Sequence, residues 1–275
     1  MKKASPQLSA REWRALLPRV SAAVSAADRI TLGYMNRVRI QHKADGSEVT
    51  AADRGAERLL RRHIAAAWPG DAVLGEEYGG EFTRQGRCWL IDPIDGTSSY
   101  VLGLPTFGTL VSLLIDGEPV FGMIHLGALR ETTYAARGFG CWLRRDGTRP
   151  RRVQVGAAPP LAKAQVGLTS YKESDLAPHP GPWRLTNLAW SVGRVRLVGD
   201  CVQYALLCRG QLDGCVDPAM KPWDIAALAA CVGEAGGSVS DLTGETTRLV
   251  ERSSLVAASS AGLRRAIVAQ VGKAP

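Results

Sequence analysis

The residue types best suited to chemistry occur in one short run, Trp89-Leu90-Ile91-Asp92-Pro93-Ile94-Asp95-Gly96-Thr97. Asp92 and Asp95 follow an apolar, strand-like stretch and flank a proline, whose fixed φ keeps the segment from continuing as a regular helix. Carboxylate oxygens on a stiff turn suit Mg²⁺. Gly96 allows close approach of a ligand to the backbone, and Thr97 offers an N–H and a hydroxyl to a phosphate oxygen or a water. The run indicates a site for divalent cations and phosphate, but an Asx-type turn explains this string alone equally well.

Acidic residues recur in three other places of the chain. Glu76 and Glu77 lie between glycines after a short apolar run, Asp53 begins a strongly periodic helical stretch, and Asp224 precedes another helix. Adjacent acids on an extended backbone point to opposite sides, so we expect only one of Glu76 and Glu77 to serve a metal and interpret Glu77 as a surface or supporting residue. The four clusters together supply hard oxygen ligands, provided that the fold brings them together.

The chain resembles the inositol monophosphatase superfamily, the Mg²⁺-dependent, lithium-sensitive phosphatases, in three motifs that occur in the family's order. They are Gly75-Glu76-Glu77, Asp92-Pro93-Ile94-Asp95-Gly96-Thr97 and Trp223-Asp224-Ile225-Ala226-Ala227. The likeness extends from about Val49 to Gly237. Three ordered motifs are far more specific than any one of them. The resemblance implies a phosphoric monoester hydrolase that forms a homodimer and uses two or three Mg²⁺ ions.

Carried over position by position, the resemblance implies a role for each acidic residue. The implied metal ligands are Glu76, Asp92, the backbone carbonyl of Ile94, Asp95, Asp224 and Asp53. The implied catalytic residues are Glu76, Thr97 and Asp53, and Thr97 with Glu76 would orient the nucleophilic water. The N–H groups of Gly96 and Thr97 would bind phosphate. Phosphate monoesters hydrolyse very slowly unaided, so metal ions must both neutralise the phosphoryl oxygens and activate the water.

Two of these acids have a structural alternative. Thr50-x-x-Asp53 is a capping-box pattern at the head of a helix, and a cap alone is the better interpretation of Asp53 taken in isolation. Asp224 precedes the helix from Ile225 to Glu234 and fits an N-cap. Both roles can coexist, because a helix start fixes a ligand carboxylate easily.

The substrate prediction depends on three further residues. The segments spanning residues 199–204, 221–224 and 103–110 are most like the histidinol-phosphatase branch of the family, and Asp217 matches a position that contacts the leaving alcohol. Histidinol carries an ammonium and an imidazole, so acids suit it better than they suit neutral inositol. The resemblance therefore implies a histidinol-phosphatase of histidine biosynthesis, with Asp217, Asp200 and Cys201 as substrate contacts. Inositol-1-monophosphatase is the alternative, and a capping role for Asp200, in Asp200-x-x-Gln203, stays open.

Element patterns predict the scaffold that positions these residues. A capping box, Ser9-Ala10-Arg11-Glu12, opens a long amphipathic stretch, which Pro18 either kinks or restarts. Five strand-like runs follow between Cys88 and Arg144, with Asp116-Gly117 as a hairpin turn. Strand and helix then alternate to the end of the chain.

The predicted fold class is α/β (α+β), a layered αβαβα sandwich. We expect an N-terminal α+β subdomain with an antiparallel sheet, residues 1–147, to carry most metal ligands. A C-terminal α/β subdomain, residues 148–275, would carry Asp224 and the contacts to the leaving group. A chain of 275 residues can bury a core large enough for either one or two domains.

The net charge of +8 and the pI near 9.4 introduce a competing class, a basic nucleic-acid-binding protein. We expect one basic cluster, Arg61-Arg62-His63, on the solvent face of a helix and another, from Arg144 to Arg152, in a turn between strands. A positive surface equally attracts anionic substrates. Because no aromatic-rich binding strand, zinc motif or helix-turn-helix accompanies these clusters, nucleic acid is a minor alternative, and the expected partner is a small-molecule phosphate monoester.

The cysteines and the apolar segments predict the compartment. The six cysteines include no Cys-x-x-Cys pair, and three recur at intervals of seven in apolar surroundings, which predicts buried thiols rather than disulfides or zinc ligands. Two lysines near the N-terminus precede no apolar stretch of signal-peptide length, and no apolar segment is long enough to cross a bilayer. We therefore expect a cytoplasmic protein without a membrane span.

Overall fold

The computed structural model describes residues 6–37, 40–42, 48–169 and 185–271. Within these ranges the chain forms seven α-helices and fourteen β-strands. The helices are α1 (Ala10–Tyr34), α2 (Ala51–Ala67), α3 (Thr97–Val101), α4 (Leu185–Ser191), α5 (Asp200–Cys208), α6 (Pro222–Glu234) and α7 (Ala261–Val271). The strands are β1 (Gln41–His42), β2 (Glu48–Val49), β3 (Ala72–Gly75), β4 (Arg87–Asp95), β5 (Gly108–Ile115), β6 (Glu118–Leu126), β7 (Glu131–Ala136), β8 (Gly140–Arg145), β9 (Arg151–Val153), β10 (Gln165–Leu168), β11 (Arg194–Arg196), β12 (Gly214–Asp217), β13 (Ser238–Ser240) and β14 (Leu255–Ala258).

Two large sheets organise the molecule. The first has the order β3-β4-β5-β6-β7-β8-β9, and its strands are antiparallel except for the parallel pair β3 and β4. The second has the order β11-β10-β12-β14-β13, with β10 parallel to both of its neighbours and β14 antiparallel to both of its own. The predicted antiparallel sheet in the N-terminal part is confirmed.

Three apolar clusters show how helices cover these sheets. Helices α1 and α2 pack on one face of the first sheet through residues such as Val20, Leu60 and Trp89. Helices α5 and α6 lie between the two sheets, where their apolar side chains contact both. Helices α4 and α7 cover the outer face of the second sheet through residues such as Leu188 and Ile267. The order is therefore α, β, α, β, α, which confirms the predicted sandwich.

Local signals in the sequence explain several element boundaries. The Ser9 hydroxyl accepts the Glu12 N–H at 3.2 Å while the Glu12 carboxylate accepts the Ser9 N–H at 2.8 Å, so the predicted capping box starts α1. The helix continues through Pro18 without a restart. The turn Asp116-Gly117 has positive φ at both residues, as a two-residue hairpin between β5 and β6 requires, and this prediction is confirmed.

The predicted subdomain boundary near Gly147 falls between β8 and β9. Strand β9 still pairs with β8 in the first sheet, so the residues immediately after Gly147 belong to the same sheet as those before it. The division into residues 1–147 and 148–275 stays a proposal. All six cysteines are buried free thiols, as predicted. Among the described residues, every helix is too short or too polar to traverse a lipid bilayer.

The second basic cluster and Arg61 of the first differ from their predicted positions, whereas Arg62 and His63 are exposed on α2 as predicted. Arg144 and Arg145 belong to β8, and Arg151 and Arg152 belong to β9, so the second cluster lies mainly in paired strands rather than in a turn. Strand β9 is the last strand of its sheet, and exposed arginines on such an edge hinder pairing with another chain. In the first cluster, Arg61 is partly buried and binds groups of its own chain, so its assignment to the solvent face was wrong.

Candidate active site

The acidic run lies at the carboxyl end of strand β4, which is the second strand of the first sheet. The sequence predicts a turn around Pro93, whereas the structure continues the strand to Asp95 with a local irregularity. Asp92 pairs with Leu110 and Asp95 with Gly108, so three steps along β4 match two along β5. Such a bulge re-aims side chains, and it accommodates a proline that has no N–H to donate.

The side chains of three aspartates converge at this bulge. Carboxylate oxygens of Asp92, Asp95 and Asp224 lie within 4.8 Å of one another. Asp224 comes from the first turn of α6, which begins at Pro222, and is therefore distant in sequence from the other two. The carboxylate of Glu76, which follows β3, contacts that of Asp92. The structure thus brings together four of the five predicted ligand carboxylates.

Each of the four aspartates among the predicted metal ligands has one oxygen that accepts a backbone N–H. The pairs are Asp53 Oδ2 with Thr50 at 2.8 Å, Asp92 Oδ1 with Ile94 at 2.9 Å, Asp95 Oδ2 with Cys201 at 2.6 Å, and Asp224 Oδ2 with Lys221 at 2.8 Å. These bonds fix the orientation of the carboxylates before any ligand arrives. Because a carboxylate has two oxygens, the second oxygen of each side chain can serve a cation.

Asp53 has the predicted capping role and a second oxygen that the cap does not use. Its Oδ2 accepts the N–H and hydroxyl of Thr50, at 2.8 and 2.6 Å, which completes the predicted capping box at the start of α2. Its Oδ1 is buried and has no hydrogen-bond partner among the described residues. A buried carboxylate oxygen without a donor is costly, so this atom is suited to a cation rather than to the cap. Burial raises the pKa of Asp53, the hydrogen bonds from Thr50 oppose this shift, and repulsion from the nearby Glu76 adds a smaller increase.

The residues after Asp95 form a tight turn into α3. Gly96 has φ +83° and is the N-cap of this helix, a conformation that favours glycine. The Thr97 hydroxyl donates to the Ile94 carbonyl at 3.0 Å, so the predicted water-orienting hydroxyl and the predicted carbonyl ligand are direct neighbours. A Cβ on Gly96 would lie 2.7 Å from Asp200 Oδ2, which explains why only glycine fits beside that carboxylate.

The electrostatics of the site are those of crowded, uncompensated carboxylates. Burial, together with repulsion from neighbouring acids, raises the pKa values of Asp92 and Asp95 well above their ordinary range. Burial and the nearby Glu76 raise the pKa of Asp224 to about 7, although the Lys221 N–H opposes this shift. Burial and the neighbouring Asp217 raise the pKa of Asp200 to about 6. Such a cluster favours binding of a multivalent cation, which would replace the repulsion by attraction.

The predicted substrate residues lie at the start of α5 and the end of β12. Asp200 accepts a hydrogen bond from the Ser99 hydroxyl at 3.1 Å and is only partly buried. Helix α5 has no side-chain cap at its N-cap residue, and the Cys201 N–H goes to Asp95, so the capping alternative for Asp200 does not apply. The Cys201 thiol is fully buried. Asp217 is 5% exposed and accepts bonds from Gln203 Nε2, at 2.6 Å, and from the hydroxyl of Thr169.

Sequence reasoning missed two residues that bind the loop of residues 76–79 after β3, here called the Glu76 loop. Glu57 on α2 is fully buried, and its carboxylate accepts the N–H groups of Glu77 and Tyr78. Arg61, one turn further along α2, donates to Glu57 Oε1 at 2.7 Å. The i, i+4 spacing of an acid and an arginine was the available signal, but it is also typical of exposed helix surfaces.

This layered fold with its acidic cluster defines the class of protein, a phosphoric monoester hydrolase. The chain belongs to the inositol monophosphatase family, whose profile matches residues 14–274. A histidinol-phosphatase of Mycobacterium tuberculosis is 41% identical over 217 residues, which are 78% of this chain and 82% of that protein. A histidinol-phosphatase of Chlorobaculum parvum is 37% identical over 248 residues, 90% of this chain and 92% of the relative.

The fold agrees with solved structures of the family. An inositol monophosphatase from Zymomonas mobilis superposes with a TM-score of 0.79 at 28% identity, over 96% of this chain and 99% of that chain. The expectation from the three sequence motifs is thereby confirmed at the level of family, fold and reaction class.

Proposed function

We propose that the chain hydrolyses histidinol phosphate in histidine biosynthesis, with Mg²⁺ as cofactor. The observation that carries the proposal is the convergence of carboxylate oxygens of Asp92, Asp95 and Asp224 within 4.8 Å of one another. All are hard oxygen donors, the type that Mg²⁺ prefers. The residues that would hold two or three ions are Glu76, Asp92, the Ile94 carbonyl, Asp95, Asp224 and Asp53. The similarity to histidinol-phosphatases, such as those of Mycobacterium tuberculosis and Chlorobaculum parvum, supports the substrate.

Bound Mg²⁺ supplies charge neutralisation at the phosphoryl oxygens and at the departing alkoxide, and it activates water. The protein's own groups set the geometry for this chemistry. The Thr97 hydroxyl uses its proton on the Ile94 carbonyl, so its oxygen is free to accept a hydrogen bond from the nucleophilic water. Glu76 would accept a proton from the same water, and the N–H groups of Gly96 and Thr97 would bind the phosphate. Water attacks directly, so no phosphorylated side chain is required.

The acids near the cluster support a cationic alcohol as the leaving group. Asp200 lies against Gly96, next to the metal residues, and retains some exposure to solvent. Burial, together with repulsion from the neighbouring Asp217, raises the pKa of Asp200 to about 6. At pH 8 the Asp200 carboxylate would be charged and would attract the ammonium of histidinol, whereas inositol has no charge for it to bind.

Side-by-side assays of phosphate release test both the class and the substrate. We expect turnover of histidinol phosphate with Mg²⁺ and none with chelator, and lower kcat/KM for inositol 1-phosphate and fructose 1,6-bisphosphate. Asp200→Asn should lower kcat/KM for histidinol phosphate about tenfold, the effect of losing roughly 1.4 kcal/mol of charge attraction, and leave inositol 1-phosphate nearly unaffected. Equal rates on all three substrates would refute the histidinol assignment and leave the phosphatase intact.

Inositol-1-monophosphatase activity is the second candidate, supported by the similarity to the inositol monophosphatase from Zymomonas mobilis.

The competing class, nucleic-acid binding, is tested by titrating duplex DNA at low and moderate salt. The proposal also includes a cytoplasmic location, because six free thiols are typical of a reducing compartment. A homodimer completes it, since large apolar side chains such as Trp190 and Leu197 are exposed.

A further inference from the structure

Helix α2 carries a second buried acid, Glu57, one turn after Asp53. Its side chain has no exposure to solvent, and a carboxylate in that position requires hydrogen-bond partners. Arg61 on the next turn provides one, with Nε 2.7 Å from Glu57 Oε1. An ordinary i, i+4 pair on a helix surface makes no contacts outside its helix. Glu57 and Arg61, in contrast, both also bind a different part of the chain.

The other partners of Glu57 belong to the loop that follows β3. Its Oε2 accepts the N–H of Glu77 at 2.6 Å, and its Oε1 accepts the N–H of Tyr78 at 3.2 Å. These two N–H groups follow Glu76 directly in the chain. The carboxylate of Glu57 therefore fixes the backbone on one side of a residue whose own carboxylate contacts Asp92.

Arg61 closes the same loop from its other end. Its guanidinium donates to the carbonyls of Val73, at 3.4 Å, and Gly79. The Gly79 carbonyl also accepts the Gly75 N–H at 2.9 Å, which joins the two ends of the loop. The planar fork of an arginine can make such divergent bonds, whereas a lysine ammonium cannot reproduce that geometry.

Glycine at position 75 makes this arrangement sterically possible. A Cβ there would lie 2.3 Å from Glu57 Oε1 and 2.9 Å from Ile91 Cγ1. A separation of 2.3 Å is far inside van der Waals contact, so any larger residue would displace the Glu57 carboxylate from the loop. The glycine of the Gly75-Glu76-Glu77 motif is thus explained by the carboxylate of Glu57, a residue outside the motif.

We propose that Glu57, oriented by Arg61, is a positioning residue that fixes the Glu76 loop in the conformation needed to bind Mg²⁺. The inference rests on the proposed function, because it assigns Glu76 to the metal. Helix α2 then contributes twice to the site: Asp53 directly, and Glu57 through the loop. Residues that orient ligands in this way commonly change metal affinity by about 10- to 100-fold when they are replaced.

The decisive variant is Glu57→Gln, which keeps the size of the side chain. Whichever way the amide is oriented, its NH₂ group faces an N–H donor of the loop or of Arg61, so at least one bond is lost. In the metal-free protein, we expect the amide protons of Glu77 and Tyr78 to exchange with deuterium about tenfold faster or more. By calorimetric titration without substrate, we expect the Kd for Mg²⁺ to rise by about tenfold or more.

Glu131→Gln is the matched control. Glu131 is likewise a carboxylate between arginines, accepting from Arg145 at 2.7 Å and from Arg209, but it belongs to β7 and contacts none of the acidic cluster. We expect this variant to melt at a lower temperature and to bind Mg²⁺ within about twofold of the wild type. Arg61→Lys, at a partly exposed position, keeps the charge and should change the Kd for Mg²⁺ in the same direction as Glu57→Gln.

The outcomes separate this inference from the function on which it rests. A wild-type protein that neither binds Mg²⁺ nor releases phosphate with it refutes the proposed function. A wild type that does both, with Glu57→Gln and Arg61→Lys unchanged in loop exchange and Mg²⁺ affinity, refutes only the positioning role. Equal losses of Mg²⁺ affinity in Glu57→Gln and Glu131→Gln would also refute it, because they would reflect general destabilisation.

Discussion

At the scale of single residues, Asp95 connects the acidic cluster to the middle layer of helices. One of its oxygens accepts the Cys201 N–H at the start of α5, and the side chain also belongs to the group of oxygens within 4.8 Å. Asp95→Asn removes a charge at the centre of this group and introduces an NH₂ that cannot ligate a cation. We expect kcat to fall by at least about 1,000-fold, as for loss of other central electrostatic groups. Phosphate release at saturating Mg²⁺ measures the effect.

Asp213→Asn provides the comparison for this prediction. Asp213 accepts the Gln165 N–H at 2.7 Å and joins two strands of the second sheet, away from the cluster. Its replacement should lower the melting temperature without abolishing turnover. Near-normal activity in Asp95→Asn, with correct folding by circular dichroism, would contradict the metal role of Asp95.

The raised pKa of Asp224, about 7, also predicts how stability depends on pH. Its ordinary value is 3.8, so between these values the folded, metal-free protein binds more protons than the unfolded chain. The free energy of unfolding then decreases as the pH rises through this window. We expect the melting temperature of metal-free protein to fall between about pH 6 and pH 8, and saturating Mg²⁺ to remove this dependence because the ion replaces the protons.

The variant Asp224→Asn isolates this contribution from that of other titrating groups. Without the carboxyl group, the decrease in melting temperature between about pH 6 and pH 8 should become shallower. The electrostatic interpretation fails if wild type and variant show the same slope in the absence of metal. Thermal scans in chelator and in Mg²⁺ at several pH values provide all of these comparisons.

At the scale of elements, two capping boxes allow a paired test. Ser9 caps α1 and donates to Glu12 at 2.7 Å, while Thr50 caps α2 and donates to Asp53 at 2.6 Å. Ser9→Ala and Thr50→Ala should each cost about 1 kcal/mol of folding free energy. Only Thr50→Ala should also weaken Mg²⁺ binding, by about tenfold, because only its partner belongs to the site.

Denaturant unfolding and calorimetric Mg²⁺ titration of the two variants measure these quantities. If both variants leave Mg²⁺ affinity unchanged, the Thr50 hydroxyl serves the helix alone. If both weaken Mg²⁺ binding equally, the effect follows stability and not the orientation of Asp53. A loss of affinity confined to Thr50→Ala would support the dual role of this capping box.

Local elements were predictable from the sequence to the extent that their signals are local. The capping boxes at Ser9 and Thr50 and the Asp116-Gly117 hairpin depend on residues within a few positions of each other, and the structure contains all three. The path of β4 past Pro93 was not predictable, because the strand continues only by pairing with β5 across a bulge. Propensity disfavours a strand at proline, and the sheet overrides it.

The residues of the candidate site likewise divide into those that local motifs identified and those that only tertiary contacts show. The motifs identified Asp92, Asp95 and Asp224, which the structure brings together. Glu57 was missed because its partners lie about 20 residues further along the chain, at Glu77 and Tyr78, and no spacing rule connects a helix to a distant loop. Tertiary contacts of this kind become visible only when the fold is known.

At the scale of the whole molecule, the site lies where the layers meet. Asp92 and Asp95 come from the carboxyl end of β4 in the first sheet, and Asp224 comes from α6, which is packed between the two sheets. The Asp217 carboxylate is at the end of β12 in the second sheet. The site thus requires both halves of the chain, so that neither 1–147 nor 148–275 contains a complete set of the proposed ligands and substrate contacts.

The exposed apolar surface predicts that two such molecules associate. Trp190 on α4 is 86% exposed and Leu197, just after β11, is 60% exposed, and β11 is an outer strand of the second sheet. Large exposed apolar side chains, and a strand that is outermost in its sheet among the described residues, indicate a protein interface. We expect light scattering after gel filtration to give a dimer, and Trp190→Glu with Leu197→Glu to give a monomer. Leu129→Glu, at another exposed leucine, should remain dimeric; a wild-type monomer at micromolar concentration would contradict the prediction.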